Sequence, residues 1–126
     1  MTKLSESGIV LLQQELCTQY NATFQPAPFS TLIAIALDTF SVPGNWPVNG
    51  LRIPVANEET VCWFVWAGPE FSTADDWFKP MHAHHLPDIH PKLVKYLGLP
   101  AGWRFLFDDS YEDVWFDEGL LERYKI

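Results

Sequence analysis

The stretch Tyr96-Leu-Gly-Leu-Pro-Ala-Gly-Trp-Arg-Phe-Leu-Phe-Asp-Asp-Ser-Tyr-Glu-Asp-Val-Trp-Phe-Asp-Glu118 decides the fold, because a helix stop, two aromatic-rich strands and an acidic turn follow one another in it without a break. Pro91 at a first-turn position and Gly98 just beyond Leu97 bracket a helix that turns Leu93, Val94 and Leu97 inward, and Pro100 confirms its end. Trp103 to Phe107 and Asp113 to Phe116 have the β-branched and aromatic content of strands, and Asp108-Asp-Ser-Tyr-Glu112 between them supplies the polar turn of a hairpin. Glu118 to Tyr124 then predicts a terminal helical turn.

Upstream, residues 5 to 20 predict an amphipathic helix. Ile9, Leu12, Leu16 and Tyr20 recur on one face, Gln13, Gln14, Glu15 and Gln19 occupy the wet side, and Asn21 suits the exit. Pro26 and Pro28 break the chain before Ser30, a potential cap for a second helix carrying Leu32, Ile33, Ala36, Leu37 and Phe40; a buried strand over Leu32 to Leu37 competes with it. Pro43, Gly44, Pro47, Gly50 and Pro54 predict a long ordered loop from Ser41 to Pro54. Val61-Cys-Trp-Phe-Val-Trp-Ala67, closed by Gly68-Pro69, is the strongest strand and suits the centre of a sheet. Ser72 or Thr73 with Asp75 and Asp76 resembles a helix start running through Trp77 and Phe78 to Pro80. Helices, a strand, a helix and a hairpin without βαβ alternation point to an α+β fold: one domain over residues 1–126, with helices packed on a mainly antiparallel sheet.

The 126 residues carry 16 acidic and 8 basic side chains, a formal charge of −8 that repels phosphate backbones and anionic membranes and attracts basic partners. Nucleic acid and membrane are therefore not expected as partners. The opening residues lack a secretory signal and no apolar run is long enough to span a bilayer, so the expected location is the cytoplasm. Cys17 and Cys62 suit small core positions rather than a disulfide or a reactive thiol. At least four of the six tryptophans are expected in the core.

Chemistry-bearing patterns are sparse. His82-Ala-His84-His85-Leu-Pro-Asp88-Ile-His90 has metal-ligand spacing, but it departs from the runs of dinuclear hydrolases and zinc proteases, and loop-packing histidines explain it more simply. It supports only an alternative reading, a metal-dependent hydrolase or small-ligand domain, beside a regulatory domain of unknown role. The pairs Asp75–Asp76 and Asp108–Asp109 lack the contrasting environments that general acid–base catalysis needs. Gly-x-Ser-x-Gly and phosphate-binding glycine loops are absent from the sequence. Trp46, Trp77, Trp103 and Trp115 raise a carbohydrate-stacking possibility, against which core packing is the stronger explanation. No catalytic residue, metal site or cofactor is expected.

Phe40-Ser-Val-Pro-Gly-Asn-Trp-Pro-Val-Asn-Gly-Leu-Arg52, Cys62-Trp-Phe-Val-Trp-Ala-Gly68, Tyr96-Leu-Gly-Leu-Pro-Ala-Gly-Trp-Arg-Phe-Leu106 and Asp113-Val-Trp-Phe-Asp117 together resemble a bacterial immunity-protein domain, number thirty-three among the immunity families of polymorphic toxins. The resemblance spans about Thr31 to Leu121. It implies a cytosolic protein, without enzymatic activity, that binds and blocks the catalytic domain of a cognate toxin, and it transfers no catalytic residues. Six carboxylates, Asp108, Asp109, Glu112, Asp113, Asp117 and Glu118, lie within eleven residues that contain no Lys or Arg. Acids interleaved with aromatics would steer a basic partner and then anchor it. The expected contact residues are Asp108, Asp109, Tyr111, Glu112, Asp113 and Trp115. Gly102-Trp-Arg104 reads instead as an element that stabilises the fold.

Overall fold

The computed structural model describes residues 6–27, 31–57 and 60–124. Its elements run α1 (Glu6–Gln19), β1 (Leu32–Ile35), α2 (Leu37–Phe40), β2 (Val48–Arg52), β3 (Trp63–Ala67), β4 (Lys79–His82), a 3-10 turn (Ala83–His85), α3 (Leu86–Ile89), a 3-10 helix (Pro91–Tyr96), β5 (Trp103–Phe107), β6 (Glu112–Phe116) and α4 (Glu118–Arg123). The six strands form one sheet in the order β4-β1-β3-β2-β5-β6, and only the β1–β3 pair is parallel. This is the expected α+β architecture.

Strand alternation gives the sheet two faces. On the core face Ile33, Ile35, Val48, Trp63, Val65, Phe105, Phe107 and Val114 are buried against Ile9, Leu16 and Cys17 of α1 and Leu93, Val94 and Tyr96 of the 3-10 helix. Tyr96 lies flat on Phe105, with ring centroids 4.3 Å apart and planes 8° apart. The opposite, open face presents Asn49, Leu51, Phe64, Trp66, Arg104, Leu106, Asp113 and Trp115, as the cross-strand pairing requires.

α1 ends where Asn21 turns to φ +57° and the Ala22 N–H donates to the Cys17 carbonyl at 2.8 Å, a Schellman-type stop. Gln13, expected on its wet side, is instead buried and donates from Nε2 to the Val94 carbonyl at 2.9 Å. This bond ties α1 to the 3-10 helix and gives the Val94 carbonyl a second donor beside the Leu97 N–H.

Leu32–Ile35 resolves to the competing strand, and helix is confined to Leu37–Phe40; the proposed cap, Ser30, lies outside the described residues. The expected loop over Ser41 to Pro54 contains β2 at the middle of the sheet. Its breakers bracket the strand rather than interrupt it, since Pro43, Gly44 and Pro47 precede Val48 and Pro54 follows Arg52. Gly50 inside the strand is a packing requirement: a Cβ there would sit 2.1 Å from Cε2 of Phe105, its cross-strand neighbour. The expected helix from Ser72 is a turn in which the Ser72 hydroxyl accepts the Ala74 N–H at 3.1 Å, and the chain then enters edge strand β4. Trp77 and Phe78 are drawn onto Trp66, 6.5 and 6.4 Å between centroids, and Pro80 suits an edge strand rather than a helix.

Both cysteines are free and buried, as expected. The tryptophan expectation is corrected: Trp63 and Trp66 are buried, Trp77, Trp103 and Trp115 are half-buried, and Trp46 is exposed. Several rings outside the core rest instead on other rings, Phe71 and Trp77 on Trp66 and Trp103 on Phe116.

The acidic hairpin as candidate partner-binding surface

β5 and β6 pair in the register Trp103↔Phe116 through Phe107↔Glu112, and the intervening turn is fixed by Asp108. Its Oδ1 accepts the backbone N–H groups of Ser110 at 2.8 Å and Tyr111 at 2.7 Å, an Asx-type turn. Asp109 is exposed beside it, and Tyr111 is 56% exposed. A tyrosine ring held that far into water by an ordered turn presents a large contact area at little entropic cost.

The structure divides the six expected contact residues between two environments. Glu112 points to the core side. Its carboxylate accepts hydrogen bonds from the Tyr20 hydroxyl at 2.8 Å and from the Tyr96 hydroxyl, and pairs with Lys95 Nζ at 2.9 Å. Burial pushes this carboxyl up, but the three donors outweigh it and hold the group below its ordinary range. Burial, followed by the hydrogen bond to Glu112, pushes the Tyr20 hydroxyl up to about 12 and raises that of Tyr96 as well. Glu112 thus joins β6 to the residue that follows α1 and to the 3-10 helix.

Asp113 and Trp115 lie on the open face. Asp113 is exposed, and Trp115 lies beneath the Arg104 guanidinium, 5.5 Å from its centroid. Arg104 Nη1 donates to Asp117 Oδ2 at 3.2 Å, and Asp117 Oδ1 caps α4 by accepting the Gly119 N–H at 3.0 Å. Gly102, at φ +92°, admits the Phe116 ring where a Cβ would come within 2.6 Å of it. The Gly102-Trp-Arg104 element is accordingly structural, joining hairpin to terminal helix.

Sequence reasoning passed over Arg52. It is 5% exposed on the core face, and its Nη1 donates to the carbonyls of Gln25 at 3.0 Å, Leu97 at 3.3 Å and Leu99 at 2.8 Å. Burial lowers its pKa, and nearby Cys62 opposes that shift. Arg52 was the only base between Lys3 and Lys79, set two residues beyond Gly50 and four beyond Val48 on one strand face. That isolation and period were the available signal.

The remaining candidates separate. His82 and His84 stack at 5.7 Å and His84 lies 4.0 Å from His85, whereas His90 packs edge-on against Trp46 and Phe107. No group of three or more His, Cys, Asp or Glu that could hold a metal ion occurs among the described residues. Trp46, Trp77, Trp103 and Trp115 each belong to a different ring contact and form no common platform. A cleft of about 300 Å³ on the open face, lined by Leu51, Phe64, Phe71, Phe78 and Tyr124 among others, carries Asp75 as its one charged side chain among the described residues. No helix among the described residues is long and apolar enough to cross a membrane.

The profile of the Imm33-like domain matches residues 12–117, which takes in every strand of the sheet and most of α1. The chain belongs to the Imm33-like domain family. The match begins earlier than the resemblance over Thr31 to Leu121 and includes Gln13 and Tyr20, which hold core-side contacts. Comparison with curated proteins and with solved structures finds no match. For this Imm33-like domain the family name points to an immunity protein.

Proposed function

We propose that this chain is a non-enzymatic immunity protein that binds a cognate, basic toxin domain in the cytoplasm and neutralises it through the β5–β6 hairpin. The carrying observation is Tyr111, 56% exposed on an ordered turn between the exposed acids Asp109 and Asp113, in a member of an immunity-type family. Asp109, Tyr111, Asp113 and Trp115 form the contact surface, Asp108 sets the turn that presents them, and Glu112 braces the strand from behind. The net charge of −8 supports fast encounter with a positive surface, and the aromatic side chains supply the desolvated anchors that slow dissociation.

The test is affinity capture of the tagged chain from its producing cells, with untagged competitor, a series of salt washes and mass spectrometry of what stays bound. Recovery of one large toxin-bearing protein, released as salt rises, is the expected result. An empty capture at low salt overturns the proposal.

A further inference from the structure

The two edges of the sheet are protected in different ways. β4 carries Lys79 and Pro80, and proline has no N–H to offer an incoming strand. β6, Glu112-Asp-Val-Trp-Phe116, has neither lysine nor proline. Asp117 donates to the Gly102 carbonyl and Asp108 to the Tyr111 carbonyl, so Tyr111, Asp113, Trp115 and Asp117 turn their backbone groups toward β5. By the two-residue alternation of an antiparallel ladder, Glu112, Val114 and Phe116 direct their N–H and C=O groups away from the sheet, and no partner for those groups appears among the described residues. Phe116, 48% exposed, sits at one end of this edge and Tyr111, 56% exposed, at the other.

We infer that the free edge of β6 is a docking strand for an extended basic segment of the partner, which adds to the sheet beside it. The inference rests on the reading that this chain binds a protein. Charge selects the occupant. Asp109, exposed Asp113 and Glu118 surround the edge, and a second copy of a chain with net charge −8 would bring the same acids against them. A lysine- or arginine-bearing strand meets no such repulsion. Proline closes the β4 edge to every strand; acids close β6 to its own kind and leave it open to a basic one. Main-chain bonds to Glu112, Val114 and Phe116 would give the affinity, a basic side chain beside Asp113 the register, and an apolar one beside Phe116 the burial.

The test follows backbone amide exchange in the nitrogen-15-labelled chain, free and with synthetic peptides. A peptide of alternating lysine and threonine is expected to slow exchange of the Val114 and Phe116 amides at least about fivefold at low salt. The same design with proline for threonine, or with glutamate for lysine, is expected to leave them at the free rate. No slowing by the lysine–threonine peptide, or equal slowing by the proline peptide, overturns strand addition. Slowing that depends on the concentration of the chain alone overturns the basic occupant in favour of a second copy. The two proposals fail separately. A toxin complex in which Val114 and Phe116 exchange at free rates removes the docking strand and keeps the immunity role, whereas edge protection by the peptide with an empty capture does the reverse.

Discussion

The two faces of the sheet solve the problem of polar groups in opposite ways. On the core face the charged side chains are surrounded by partners: Arg52 reaches three carbonyls, and Glu112 holds two tyrosine hydroxyls and Lys95. On the open face Asp113 is exposed, Trp115 is half-covered by Arg104, and the buried Nε of Arg104 has no hydrogen-bond partner among the described residues. Charge on the first face serves the fold because it satisfies polar groups of the core, the carbonyls of Gln25 and Leu99 and the hydroxyls of Tyr20 and Tyr96 among them. On the second face charge is available to something outside the chain.

The largest stability effect is expected on the core face at Arg52. Replacing it with methionine fills similar volume but strips the donor from the carbonyls of Gln25 and Leu99, while Leu97 keeps the Trp63 indole N–H. The loss should be about 3 kcal/mol, or a fall of about 10 °C in Tm for a domain of this size. Thermal unfolding followed by circular dichroism checks it, and an unchanged Tm would mean that the guanidinium contributes no net stability.

Next comes Glu112→Gln, with an expected loss of about 1–2 kcal/mol that depends on pH. The folded carboxyl titrates below its unfolded value near 4.5, so its contribution is present above that pH and disappears as the pH falls through the folded value. Tyr20 has the opposite sign. With its hydroxyl pushed up to about 12 from 10.0, the neutral form is favoured by folding, and its contribution holds below pH 10 and is lost as the pH rises toward 12. Chemical denaturation of both proteins across pH should show the gap between wild type and Glu112→Gln widest in the neutral range and closing on the acid side. A gap independent of pH would show that the loss lies in packing rather than in charge.

These two residues also mark what the sequence could and could not disclose. The hairpin, the central strand β3 and the 3-10 helix over Pro91–Tyr96 were legible because each shows its period between strong stops. β2 was missed because breakers were counted without asking whether they fell inside or around a five-residue strand, and Gly50 looked like a turn residue when it was making room for Phe105. The turn at Ser72 was missed for a tertiary reason: Trp66 attracts Trp77 and Phe78 more strongly than local propensity attracts them to a helix. At the candidate site the acids and aromatics were visible as a cluster. Their division between faces was not, since the register that turns Glu112 inward and Asp113 outward is fixed by pairing with β5 and by donors on α1 and the 3-10 helix, far away in sequence.

On the open face the balance between stability and binding should reverse. Trp115→Ala removes a half-buried ring from beneath Arg104 and should cost about 1 kcal/mol of stability, less than either core-face change, while weakening capture of the partner by about 30-fold if the ring is an anchor. Titration calorimetry against the recovered toxin domain, beside a denaturation curve, separates the two. Equal losses in both would make Trp115 a support for the hairpin and shift the contact toward Tyr111.

The smallest structural effect is expected at Asp113→Asn. The side chain is exposed and on the face away from the Glu112 cluster, so stability should change by less than about 0.5 kcal/mol. Its effect belongs to encounter. One charge fewer in an acidic field should slow association with a basic partner by about two- to threefold at low salt, leave dissociation nearly unchanged, and lose that difference at high salt, where screening removes the field. Stopped-flow association at two ionic strengths reads this directly. If Asp113→Asn instead accelerates dissociation and the change survives high salt, the carboxylate is making a short, desolvated pair with the partner. The open face would then resemble the core face once occupied, its charges partnered by another chain as those of Arg52 and Glu112 are partnered by their own.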